Sequence, residues 1–143
     1  MDDNLTSKFK QRFSWIPNID PLYNPNVIVF PFSIDCDNGW FDLLWKLCED
    51  IDAIVKRDNL CKFEGKDSYK NFSVDQIKEK FGGLRFYTNF VINDIEKLIR
   101  DAEDKSFKTC EFCGKDGSMH MKFGWYKTLC KHCAAKHGYE RVE

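Results

Sequence analysis

The apolar positions of this chain change period along its length, and the changes mark its elements. From Trp40 they recur at helical spacing: Trp40, Leu44, Leu47, Ile51 and Ile54/Val55, with Phe41, Trp45 and Cys48 widening the stripe. A stripe that broad predicts the main core helix, over 40–57. Asn38 or Asp37 can cap it, and Asp42 suits its positive end. A shorter amphipathic helix is predicted over 4–13, with Leu5, Phe9 and Phe13 on one side. A third is predicted over 94–105, where Ile95, Leu98, Ile99 and Ala102 share a face. Asn93 followed by Glu96 reads as a capping box at its start.

Between the second and third helices the period falls to two. The segment 74–90, VDQIKEKFGGLRFYTNF, predicts a β-hairpin with Gly82-Gly83 as a two-residue turn of positive φ. That turn sets Phe81 opposite Leu84, Lys80 opposite Arg85 and Lys78 opposite Tyr87. Lys78, Lys80, Arg85 and Tyr87 then share one face, a cationic and aromatic surface that could hold a phosphate or stack a base. The alternative is a solvated hairpin whose charges pair with acidic helices.

The remaining segments are less regular. Pro17, Pro21 and Pro25 predict a surface linker over 16–26, the end of an N-terminal arm 1–26. The arm can pack on its own domain or serve a partner. Val27–Phe32 is apolar and β-rich, and Pro31 makes it an edge strand. Asn59 to Ser73 reads as a polar loop anchored by Leu60 and Phe63.

The sharpest chemical signal is C-terminal. Cys110/Cys113 and Cys130/Cys133 form two CxxC pairs sixteen residues apart. Two such pairs supply four soft anionic ligands, the set for one tetrahedral Zn2+. A complete four-thiolate shell leaves no open position, which makes the metal structural and leaves His120, His132 and His137 outside it. Gly114 follows the first pair, Trp125–Leu129 can return as a strand, and Ala134-Ala135 with Gly138 predicts a short helix and its stop. Knuckle, hairpin and ligand-bearing helix make a treble clef. The order of CxxC-G, Trp, Thr-Leu-CxxC and helix resembles GATA-type fingers over about 30 residues, without their dense basic tail.

Composition narrows the setting. Aromatic residues make up 15% of the chain, so a packed core is feasible and a disordered chain is not expected. No apolar run is long enough for a membrane span. The start MDDNLTSKFKQRF has no signal-peptide pattern, and seven cysteines then indicate a reducing, cytoplasmic compartment. Net charge divides as −5 over 1–104 and +4 over 105–143. The two parts can attract each other, or the basic finger can meet nucleic acid.

The expected fold is α+β: a helix and β-hairpin domain, 1–104, with an integrated treble-clef or zinc-ribbon-like finger, 105–143, packed on it. The order GWFDLLWKLCEDI, QIKEKFGGLRFYTNF, short helix, TCEFCG, TLCKHC resembles a family of small phage- and prophage-associated proteins over about 40–135. That resemblance implies an accessory protein in the cytoplasm of a bacterial host. No hydrolase, nucleotide-loop or metalloprotease motif is present. The leading expectation is therefore a non-enzymatic zinc protein that binds a protein partner, such as a host or defence protein. The expected surface is Lys78, Lys80, Arg85 and Tyr87, extended by Trp125 and Tyr126, since binding centres favour aromatics and Arg. Nucleic-acid binding is the alternative. An enzyme framed by pairs such as Glu79/Arg85 or His120/His137 is a second alternative.

Overall fold

The computed structural model describes residues 1–17 and 32–143. The edge strand expected over 27–32 and the greater part of the 16–26 linker lie outside the described residues. The elements run α1 (Asp3–Arg12), β1 (Ile34–Asp35), a 3-10 turn (Asn38–Trp40), α2 (Phe41–Arg57), a second 3-10 turn (Gly65–Lys70), β2 (Val74–Lys80), β3 (Gly83–Thr88), α3 (Asn93–Ser106), β4 (Ser118–Lys122), β5 (Trp125–Leu129), α4 (Lys131–His137) and β6 (Glu140–Arg141). This is an α+β fold with a compact four-cysteine finger at its C-terminal end.

The first sheet has the order β1-β2-β3, with β1 parallel to β2 and β3 antiparallel. Its inner face carries Ile34, Ile77, Leu84 and Phe86, all buried. Helix α2 contributes Leu44, Leu47, Cys48, Ile51 and Val55 to the same core, and α3 packs on α2 and β3. A bulge between Val74 and Gln76 lets Val74 and Ile77 both point inward although they are three apart. On the opposite face of β2 and β3, Lys80 and Tyr87 are exposed and Lys78 and Arg85 half-buried among the described residues. In the segment expected as a polar loop, the deepest anchor is Phe72, which the pattern reading missed.

The described part of the N-terminal arm, residues 1–17, packs into the core. Phe9 and Phe13 are fully buried and meet Trp45 edge-on at 5.1 and 5.2 Å between ring centroids. Trp15 donates its Nε1–H to Asp52, 3.0 Å away on α2.

Three local expectations are corrected. The first hairpin turns on Phe81-Gly82, not Gly82-Gly83: φ is 53° and 84° at these residues, the two left-handed values of a type I′ turn. The pairing is therefore Lys80↔Gly83, Lys78↔Arg85 and Gln76↔Tyr87. Gly83 is free for another task, because a Cβ there would stand 2.3 Å from the Phe107 ring. Second, α3 has no capping box: it starts at Asn93 behind Ile92 with no side-chain cap, and Glu96 pairs with Arg100 instead. Third, neither Asn38 nor Asp37 caps α2 with its side chain. Asn38 is engaged by Asp2, donating to its carboxylate at 2.9 Å.

Candidate metal centre and adjoining surface

The finger is built from short-range constraints. The first knuckle closes when Gly114 N–H donates to Cys110 O at 2.8 Å, with Gly114 at φ 81°. This conformation is one that glycine adopts without strain. Strands β4 and β5 pair in register from Ser118↔Leu129 to Lys122↔Trp125, and β6 adds to β4. The chain then enters α4 at Cys130, whose Sγ accepts the Cys133 N–H at 3.3 Å. Gly138, at φ 75°, stops the helix. Knuckle, hairpin and helix follow one another as the spacing predicts.

The Sγ atoms of Cys110, Cys113, Cys130 and Cys133 lie within 4.8 Å of one another, and those of Cys113 and Cys130 are 3.6 Å apart. Zinc–thiolate bonds of about 2.3 Å in a tetrahedron put sulfurs about 3.8 Å apart, so the donor set fits a metal ion and suggests zinc. All seven cysteines are free thiols. The Cys133 N–H pulls the Cys130 thiol down to about 7, whereas burial and then its sulfur neighbours push Cys133 up to about 12. Four clustered sulfurs resist becoming four thiolates, and a dication among them removes that repulsion. Among the described residues no histidine joins the cluster. His120 bonds the Ser118 carbonyl at 2.8 Å, and His137 lies edge-on to Phe112.

The finger is fastened to the rest of the molecule at several points. Gly39 N–H donates to Glu111 O at 2.8 Å, and Trp40 Nε1–H donates to Thr109 O at 2.8 Å. Thr128 Oγ1 donates to Gly82 O at 2.7 Å. Lys127 Nζ joins three carboxylates: Glu111 at 2.9 Å, Glu79 at 3.3 Å and Asp37 at 3.7 Å. Glu111 is only 1% exposed, and burial raises its carboxyl to about 7 against the pull of Lys127. Sequence reasoning missed this network, because its members lie as far apart as residues 37 and 127 and none forms a motif with another.

The outward surface has two parts. Lys78, Lys80, Arg85 and Tyr87 do lie on one face of β2–β3. The turn correction shifts each partner by two positions, which preserves the side-chain alternation. Glu79 and Arg85 stand on opposite faces, so they do not frame a common site. The second part is new. The second hairpin also turns on a Phe-Gly pair, Phe123-Gly124, with φ 49° and 80°. The two tips lie side by side, and Glu79, Lys80, Phe81, Phe123, Trp125 and Tyr126 line a groove of about 410 Å³ between them. Phe123 is 91% exposed, Trp125 75% and Phe81 65%. A left-handed conformation costs a residue with a Cβ about 1–2 kcal/mol, and a bulky Phe is a rare occupant. Two such residues, both facing solvent, are not explained by packing. The signal for them was in the sequence as a repeated tripeptide, Lys80-Phe81-Gly82 and Lys122-Phe123-Gly124.

No helix among the described residues is long and apolar enough to cross a membrane. Comparison with known proteins found no matching family model, no matching curated protein and no matching solved structure.

Proposed function

We propose that this chain is a zinc-stapled, non-enzymatic binding module. One structural Zn2+ held by Cys110, Cys113, Cys130 and Cys133 stiffens the finger. The fastened finger then holds the second hairpin tip against the first, and the joined surface engages a macromolecular partner. The observation that carries the reading is the exposed aromatic cluster of Phe81, Phe123 and Trp125 on a molecule whose neighbouring sheet face carries half-buried Lys78 and Arg85 and exposed Tyr87. Clustered aromatics next to Arg are what binding centres are made of, and a fold with this much buried aromatic surface had other places for them. The resemblance to phage- and prophage-associated proteins makes an infected or lysogenic bacterium the setting of the proposal.

The test combines elemental analysis with recovery of partners. Purified protein should carry one zinc per chain. Tagged wild type and a Phe81→Asn/Phe123→Asn double variant are then cross-linked in bacteria, and their bound protein and nucleic acid are compared. Asn accepts the left-handed turn, so the variant should keep its zinc and its melting temperature. Partners recovered with wild type should be lost. Equal recovery with both would remove the two tips from the binding surface.

A further inference from the structure

The groove between the hairpin tips has a chemistry that selects its occupant. Its walls are aromatic rings, and its free charge is cationic. Glu79, the acidic residue of the lining, is already tied to Lys127. Lys80 is exposed, with its Nζ 5.5 Å from the centroid of the Phe81 ring. Lys78 and Arg85 continue from the groove along the open face of the sheet, and Lys78 stands 5.9 Å from the centroid of Tyr87. None of these three cations makes a close ion-pair contact among the described residues, although Arg85 is near enough to the half-buried Glu103 of α3 to pull on that carboxylate. Asp35, at the far edge beside Lys78, is bonded to Ser33.

We propose that the paired Lys-Phe-Gly turns form a site for single-stranded nucleic acid, with bases against Phe81, Phe123 and Trp125 and the phosphate chain along Lys80, Lys78 and Arg85. Aromatic faces interleaved with cations along one track are the parts such a site requires, because every base offers a π-face and every linkage a charge. A groove a few side chains wide admits unstacked bases and excludes a duplex, whose bases are covered. The strained turns fit this role: the left-handed Phe keeps each ring at the tip, clear of its own sheet. This inference rests on the binding-module reading and names the partner class.

The experiment uses the zinc-loaded full chain and fluorescein-labelled 20-mers of dT and rU, followed by anisotropy and by quenching of Trp fluorescence at about 50 mM salt. Binding is expected, with the logarithm of affinity falling against the logarithm of salt at a slope of about −2 for three cations. Phe81→Asn/Phe123→Asn should weaken binding at least about tenfold. Trp125→Phe should retain binding and lose most of the quench. Lys80→Gln/Arg85→Gln should flatten the salt slope. A matching 20-bp duplex and a polyglutamate peptide serve as competitors and should compete poorly. No binding at low salt, equal binding of the duplex or the peptide, or indifference to the double Phe change would each overturn the proposal. If no oligonucleotide binds while the same double variant loses a protein partner in cells, nucleic acid is wrong and the binding surface stands.

Discussion

Asp52 shows what one residue can decide. It sits on the apolar stripe of α2, 6% exposed, where a charge needs compensation. Its Oδ1 accepts from Trp15, and its Oδ2 accepts from Arg12 at 3.2 Å and from Lys56 at 2.8 Å. Burial acts to raise its pKa, and the hydrogen bonds from Lys56, Trp15 and Arg12 outweigh it, leaving the carboxyl below its ordinary value. A depressed pKa means that the folded state binds the proton less readily than the unfolded chain. The stabilisation is therefore complete above the ordinary carboxyl range, near pH 4, and disappears as pH falls through the lowered value. Asp52→Asn should melt below wild type near pH 7, with the gap closing on acidification. Melting curves that stay parallel down to about pH 2.5 would show that the ion pairs contribute nothing.

Among elements, the consequential features are the places where backbones touch. The turn Asn38–Trp40 lies against the first CxxC knuckle with no room for a side chain: a Cβ on Gly39 would stand 2.3 Å from the Cys110 carbonyl oxygen. Backbone cannot rotate away as a side-chain tip can. Gly39→Ala should therefore destabilise the protein by about 1–3 kcal/mol and weaken metal retention, read as a lower melting temperature and faster zinc release to a chelator. A variant that melts with wild type would mean that the knuckle moves freely against α2. The hairpins teach a related lesson. Alternation and the glycine pair revealed the first, the return strand Trp125–Leu129 between the CxxC pairs revealed the second, and parity kept Lys78, Lys80, Arg85 and Tyr87 together although the first turn was misplaced by one residue. The misplacement arose because Gly82-Gly83 looks like the best turn pair locally. The second glycine is required instead by the Phe107 ring, which arrives from 24 positions away. The capping residues Asn38 and Asn93 failed as predictors for a similar reason, since Asn38 is drawn to Asp2 and α3 begins one residue early.

On the scale of the whole molecule, the finger and the larger core share contacts at Gly39, Trp40, Lys127 and Thr128, so metal loss should be felt in both. Cys113→Ser, or zinc removal by chelator, should abolish amide protection over about 108–141 and lower the melting temperature of the rest, because binding and folding of such a site are coupled. Unchanged hydrogen exchange in the finger would show that thiol packing alone holds it. By itself the sequence determined the helices, the two hairpins, the four-sulfur cluster and the shared face of Lys78, Lys80, Arg85 and Tyr87. Each depends on residues a few positions apart, where period, turn geometry and ligand spacing are read directly. Only the tertiary structure decided that Phe9 and Phe13 fill the core, that Lys127 bridges Glu79, Glu111 and Asp37, and that the Phe81 and Phe123 tips flank one groove. These relations join positions tens of residues apart, and local periodicity carries no information about which distant surfaces a folded chain brings together.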